Sequence, residues 1–236
     1  RRREAKNGLR PAGLHRLELR LSGPGGPVSA NEYDLFVTRR QDAGVEEKSL
    51  YVLDNEVGAA AKAVKALGRE AVPFDGKKAS SLLLVAPGAF AADRVRPWVE
   101  AGGRALVLEQ PADTLNPWAG QKVARTVKPA PLGCPVVKTG HPLLAGLAPR
   151  QFGYWRQGGV SHVSFFPAVD DRATLVVGYD GNIRKDGKNI PVFGSLTMLH
   201  EAGQGRILWT QQKLADNLDD AAAFAVLRNC LRTLME

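Results

Sequence analysis

Cysteine is scarce in this chain. Cys134 and Cys230 are the two in 236 residues, which excludes a disulfide framework, and their spacing does not say whether they meet in space. Cys134 sits in a Leu-Gly-Cys-Pro loop, and Cys230 follows Leu227 by three on an apolar helical face, so both read as packed or loop thiols. Histidine is sparse as well, with four residues. His15, His141, His162 and His200 show no metal-ligand spacing and none accompanies a cysteine pair, so neither a metal nor a cofactor is expected. A Cys134–His141 dyad is the sharpest nucleophilic option, but a cysteine before proline has no strand-to-helix elbow to expose it. Long apolar runs are missing too, which excludes a helical membrane span. The chain starts at Arg1 with no apolar secretory segment ahead of its first strand, and it is expected to be a piece of a longer or processed protein.

What is present is ordinary globular composition: 44% hydrophobic and 24% charged residues. A net charge of +8 raises the question of nucleic acid. Arg1, Arg2, Arg3, Lys6 and Arg10 cluster at the start, however, and the other basic residues are dispersed without interleaved aromatics. That pattern is a solvated basic end, and no nucleic-acid partner is expected.

Leu17-Glu18-Leu19-Arg20-Leu21 alternates with period two, and so does Asn31-Glu32-Tyr33-Asp34-Leu35-Phe36-Val37. Between them runs Ser-Gly-Pro-Gly-Gly-Pro, a turn that no helix crosses. Residues 14–38 therefore predict a β-hairpin. A lone hairpin is marginal in water, so residues 1–40 are expected to be the partial end of a β-sandwich, followed by a polar linker over 41–48.

From residue 49 to 236 the expectation is one α/β domain. Leu50–Leu53 reads as a strand, Glu56–Leu67 as an amphipathic helix with Val57, Ala60, Val64 and Leu67 on one face, and Ala71–Phe74 as a second strand. Leu82–Val85 is a continuous apolar run suited to a strand buried on both faces. A helix over Ala91–Ala101 and a strand over Arg104–Leu108 follow. This alternation predicts a doubly wound, mostly parallel, flavodoxin-like sheet. A proline-rich stretch after Gln110 reads as a surface excursion. Gly153–Trp155, Leu175–Tyr179 and Arg206–Thr210 read as further strands, and Ala221–Met235 as a closing helix.

Candidate sites lie where such sheets hold ligands, at the carboxyl ends of strands. Asp54, Asn55, Pro87, Gly88, Glu109 and Gln110 form the candidate strand-end cleft. Ala86-Pro87-Gly88-Ala89 carries neither the spaced glycines of a dinucleotide fingerprint nor the Gly-Lys-Ser/Thr of a P-loop, so a plain turn is the default. Asn55 as helix N-cap with Glu56 in the first turn accounts for that end without a ligand. Glu109 has no identifiable carboxylate partner for glycoside hydrolysis, and a polar strand cap accounts for it. Trp98 and Trp209 read as core. Trp118, Tyr154 and Trp155, in loop-rich surroundings, are the candidate carbohydrate contacts, weighed against structural packing.

The hairpin, with its Asn31-Glu32-Tyr33-Asp34-Leu35-Phe36-Val37 ending, resembles the closing strands of the C-terminal immunoglobulin-like sandwich in glycoside hydrolase family 2, the β-galactosidase-like enzymes. The remainder carries Gly102-Gly103-Arg104-Ala105-Leu106-Val107-Leu108-Glu109-Gln110, His141-Pro142-Leu143-Leu144-Ala145-Gly146-Leu147, Trp155 and Gly203-Gln204-Gly205-Arg206-Ile207-Leu208-Trp209-Thr210. It is similar to the class I glutamine amidotransferase-like domain appended to some of those enzymes. The resemblance implies a degenerate version of that domain. Its nucleophile position falls near Glu109-Gln110, and Thr210-Gln211-Gln212-Lys213 lacks the triad histidine, so no catalytic residue carries over.

The resemblance further implies a non-catalytic accessory region of a carbohydrate-degrading protein, supporting assembly or substrate positioning. Its implied partners are upstream glycosidase domains, with carbohydrate or a second copy as further possibilities, and its implied location is secreted or periplasmic. Two alternatives remain open at this point: an active hydrolase or transferase with an unrecognised strand-end site, and a pure oligomerisation module.

Overall fold

The computed structural model describes residues 13–37, 49–77, 81–111, 124–125, 140–152, 155, 164–165, 173–175 and 178–236. The chain opens with the antiparallel pair β1 (Gly13–Gly23) and β2 (Gly26–Val37). Leu17 lies opposite Tyr33 and His15 opposite Leu35. Directly opposed residues share a face, so Leu17, Leu19, Leu21, Tyr33 and Leu35 form one apolar face. All five are exposed, with Leu21 at 63%. The other face carries charge, including an Arg16–Glu32 pair at 3.1 Å. Among the described residues these two strands pair only with each other. The expected linker over 41–48 lies outside the described residues.

The α/β unit follows, with β3 (Ser49–Leu53), α1 (Ala59–Ala66), β4 (Glu70–Pro73), β5 (Leu82–Val85), α2 (Ala92–Glu100) and β6 (Arg104–Val107). Short strands β7 (Ala124–Arg125), β8 (Ser164–Phe165) and β9 (Ala173–Leu175) come next. Then come the ribbon β10 (Gly178–Lys185) and β11 (Lys188–Ser195), the hairpin β12 (Thr197–Ala202) and β13 (Gly205–Thr210), and the closing helix α3 (Ala221–Met235). The main sheet has the order β4-β3-β5-β6-β13-β12-β9. Its first five strands are mutually parallel, and β12 runs antiparallel to β13 and β9. Taken in chain order those five parallel strands give 2-1-3-4-5, the flavodoxin-like doubly wound arrangement.

The period of two along the strands divides the core. Leu50, Leu82, Leu84, Leu106 and Leu208 pack with α1 and α3, whereas Leu83, Val85, Ala105, Val107 and Trp209 pack with α2. Leu82–Val85 is buried along its whole length, as its unbroken apolar run predicts. On the α2 side the Trp98 ring meets Phe74 edge-on at 5.3 Å, and Trp209 meets Phe90 at 4.8 Å. Both tryptophans are core residues, as their surroundings predict.

Glycine is required where α2 ends against the β12–β13 turn. A Cβ on Gly205 would sit 2.1 Å from the Val99 carbonyl oxygen, and one on Gly103 would sit 2.4 Å from the Trp98 ring. The turn between the strands of the ribbon is Asp186-Gly187, with φ of 50° and 75°, the left-handed pair of a tight hairpin.

The sequence reading departs from the structure at two elements, and a third is only partly described. The first helix begins at Ala59 rather than Glu56, and Val57 lies outside it with 65% exposure instead of on its apolar face. Strand β12 and the β10–β11 ribbon occupy 178–202, where the sequence suggests one short strand near 175–179. Of the expected strand Gly153–Trp155, Trp155 alone falls among the described residues, where it makes an isolated bridge.

Candidate functional site

Strand order reverses between β3 and β5, so the crevice at their carboxyl ends is the place where this fold receives ligands. Asp54 and Asn55 follow β3 there, and Ala86, Pro87 and Gly88 follow β5. The Asn55 side-chain amide donates to the Pro87 carbonyl at 3.0 Å, tying the two strand ends together. The opening of α1 would ordinarily offer free N–H groups to an anion. Here the Asp54 carboxylate accepts from Ala60 N–H and Ala61 N–H, both at 2.9 Å, and the Asn55 Oδ1 accepts from Ala59 N–H at 3.2 Å.

The capping expected of Asn55 and Glu56 is therefore carried by Asp54 with Asn55. Gly58 holds the N-cap position at φ 68°, and Glu56 is exposed in the preceding turn. Two residues of turn separate Asn55 from the N-cap, and the carboxylate one position earlier takes the N–H groups of Ala60 and Ala61.

One strand over, Gln110 braces the sheet. Its Nε2 donates to the Ala86 carbonyl at 2.9 Å and the Leu108 carbonyl at 2.6 Å, and its Oε1 accepts from Phe90 N–H at 3.1 Å. Its backbone N–H donates to Gln211 Oε1 at 3.2 Å, and Gly88 N–H donates to the Glu109 carbonyl at 2.9 Å. Gln110 is 0% exposed. A buried amide with its oxygen and both N–H groups engaged is a structural clamp. The six residues expected to line a cleft are thus brought together by a hydrogen-bond network; Glu109 and Gln110 are buried, Asp54, Asn55 and Pro87 are half-buried, and Gly88 is exposed.

Glu109 is the chemically distinctive member. Burial pushes its carboxyl up to about 8; Asp216 reinforces the rise, and its own backbone N–H and Lys213 oppose it. At neutral pH the group is mostly a neutral acid. Among the described residues its Oε2 finds no hydrogen-bond partner, and neither do Nε2 of Gln211 and Nε2 of Gln212, all of them buried. Gln212 Oε1 accepts from the hydroxyls of Thr197 at 3.0 Å and Thr210 at 3.3 Å. Reading from sequence missed this layer of Gln211, Gln212, Thr197 and Thr210. A run of polar residues directly after an apolar strand is the available signal, and it reads equally well as the start of a surface loop.

Trp155 is corrected. Its surroundings in the sequence suggest an exposed aromatic, yet it is 1% exposed, tilted against Phe152 at 6.4 Å, with its indole N–H donating to the Gln151 carbonyl at 2.9 Å. The ring is buried within the core cluster that also holds Phe152, so it offers no stacking face to a sugar. Trp118 and Tyr154, and with them Cys134, lie outside the described residues. Cys230 is a buried thiol whose pKa burial pushes well upward, consistent with packing. His141 caps a short helical turn by accepting from Leu143 N–H at 3.2 Å, and the Asn229 amide holds that turn through the Leu143 and Ala145 carbonyls at 3.1 and 2.9 Å. Among the described residues no group of three or more His, Cys, Asp or Glu is placed to hold a metal, and no helix is long and apolar enough to cross a membrane.

No protein-family model matches this sequence, and no curated protein matches it. Among solved structures the chain is similar to cytoplasmic protein STM3548 from Salmonella typhimurium, at 10% identity over 94% of this chain and 96% of that one, with a TM-score of 0.47. It is also similar to the cold-adapted β-galactosidase from Rahnella sp. R3, at 14% identity over 80% of this chain and 32% of that one, with a TM-score of 0.48. A third likeness is to the exo-β-1,4-mannosidase Op5Man5 from Opitutaceae bacterium strain TAV5, at 10% identity over 75% of this chain and 34% of that one, with a TM-score of 0.43. In the two glycosidases the match spans about a third of the longer chain. These likenesses are distant, and no activity passes to the chain through them.

Proposed function

We propose that this chain is a non-catalytic accessory region of a carbohydrate-degrading glycoside hydrolase, supporting assembly or substrate positioning. The observation that carries the non-catalytic part is the filled strand-end network. Asp54 occupies the helix N-terminus, Asn55 bridges the switch point, and the Gln110 amide is fully engaged within the fold. The glycosidase context rests on the sequence resemblance of the hairpin and of the late motifs.

The β1–β2 face supports the assembly role. Leu17, Leu19, Leu21, Tyr33 and Leu35 expose an apolar patch of roughly a few hundred Å², within the range of the largest patch on a typical monomer, which is often functional. A free dimer interface needs about 800 Å² from each partner. The smaller face suits a covalently linked β-sheet domain, which docks without the entropy cost of bringing two molecules together. Hydrogen exchange on the full-length polypeptide tests this. Slow exchange along 14–37 that becomes fast in the chain alone is the expected result; equal exchange in both would remove the docking role.

A further inference from the structure

Among the described residues β1 and β2 pair only with each other, and every position from Arg16 to Ser22 is exposed. An antiparallel pair uses one edge of each strand. The other edge of β1 therefore presents a row of N–H and C=O groups that another strand can meet. No proline interrupts β1, whereas β2 carries Pro27, which has no N–H to donate.

Charge distinguishes the two edges further. The charged residues of β2 are Glu32 and Asp34, so a two-fold pairing of that edge can set no acid against a base. Strand β1 alternates, with Arg16, Glu18 and Arg20 on one face and Leu17, Leu19 and Leu21 on the other. Two copies of β1 laid antiparallel with Leu19 opposite Leu19 put Glu18 opposite Arg20 at two places and Leu17 opposite Leu21 at two more. Other registers are poorer. Centring on Glu18 sets acid against acid and Arg16 against Arg20, and centring on Arg20 sets arginine against arginine. Centring on Leu17 keeps two Arg16–Glu18 pairs but leaves Arg20 opposite Leu14 and Leu21 opposite Gly13. Opposite charges across strands stabilise a pairing and like charges oppose it. In one copy Arg20 pairs with Glu18 of its own strand, both exposed, so an exchange of partners between copies costs little.

We propose that the outer edge of β1 joins the same edge of a second copy, Leu19 against Leu19, to make a four-stranded antiparallel sheet. A two-fold pairing closes after one contact, whereas β1 against the β2 edge of another copy would run on as a filament. Main-chain hydrogen bonds supply the affinity, over an interface small enough to release on dilution. The edge is distinct from the apolar face of the hairpin, which stays open to a linked domain.

Sedimentation of the chain over a range of concentrations, with charge-swapped variants, tests the pairing. The expected result is a monomer–dimer equilibrium that Arg20→Glu weakens about tenfold or more and that adding Glu18→Arg to Arg20→Glu restores. A monomer at every concentration, a dimer indifferent to Arg20→Glu, or a double variant no tighter than the single one would overturn the proposal. A charge change can also disturb the hairpin itself, so thiol cross-linking in a Cys134→Ser background gives a second reading. Leu19→Cys brings two thiols together across the two-fold, within the roughly 4–7 Å between Cα atoms that a disulfide spans. It should link into covalent dimers on mild oxidation. Leu21→Cys leaves the thiols four residues out of step, about 14 Å along the strand, and should not link. Equal linking by the two variants, or none by Leu19→Cys, would overturn the pairing.

Discussion

Asn55 donates its side-chain amide to the carbonyl of Pro87 at 3.0 Å, across the point where the order of the sheet reverses. In a doubly wound sheet that crevice is where a ligand binds, and here a hydrogen bond of the fold spans it. Asp54 does the same for the helix that opens beside it. The hydrogen bonds at these strand ends tie neighbouring strands and the start of α1 to one another.

Capping by Asp54 is the first consequence. Asp54→Ala removes the acceptor for Ala60 and Ala61 N–H, and loss of such a cap costs about 1–2 kcal/mol. Thermal or urea unfolding should register that loss. Asp54→Asn, which keeps one acceptor oxygen, should recover part of it.

Gln110 has more at stake. Gln110→Ala withdraws a donor from the Ala86 and Leu108 carbonyls and an acceptor from Phe90 N–H. Unpaired buried groups cost about 1–3 kcal/mol each, so the variant should lose on the order of 3 kcal/mol. Urea unfolding that shifted by only a few tenths would mean the clamp is not formed in solution.

Glu109 makes stability depend on pH in a defined direction. Its carboxyl ordinarily titrates near 4.5 and in the fold near 8. Between those values the folded state holds a proton that the unfolded state has released. Its contribution is therefore fully present below about pH 4.5, declines as pH rises, and is gone once pH passes about 8. Glu109→Gln stays neutral throughout. It should match the wild type at pH 4 and exceed it at pH 7 by on the order of 3 kcal/mol. Equal stabilities at pH 7 would show that Glu109 is solvated.

Gly205 tests the packing of α2 on the β12–β13 turn. An added methyl would lie 2.1 Å from the Val99 carbonyl oxygen and 2.2 Å from that of Gly103. Since both obstacles are backbone, Gly205→Ala should cost more than about 3 kcal/mol, measured by chemical denaturation. A wild-type-like midpoint would place the turn differently.

Much of this architecture is legible in the sequence because local pattern and burial coincide. The alternation of Leu17, Leu19 and Leu21 marks a ribbon with one apolar face. The unbroken Leu82–Val85 run marks a strand buried on both sides, and Phe224, Leu227, Leu231 and Leu234 mark the buried face of α3. The β10–β11 ribbon is signalled by Asp186-Gly187, a left-handed pair between alternating residues, which attention to residues 175–179 alone passes over. The candidate site is legible in place but not in kind. Asp54, Asn55, Pro87, Gly88, Glu109 and Gln110 do converge, yet sequence does not reveal which polar groups point inward. Gln110 and Gln211 are 101 positions apart, and that meeting turns a candidate cleft into a brace. Trp155 is missed because its loop-rich surroundings in sequence do not show that its ring joins the buried core.

The central claim is that the strand ends serve the fold and not a reaction. Turnover of a panel of nitrophenyl glycosides, and of glutamine, by the purified chain tests it most directly, with Glu109→Gln measured alongside. The expected result is no release above the uncatalysed background for either protein. Turnover by the wild type that disappears in Glu109→Gln would contradict the account, because it would make the buried acid a reacting group.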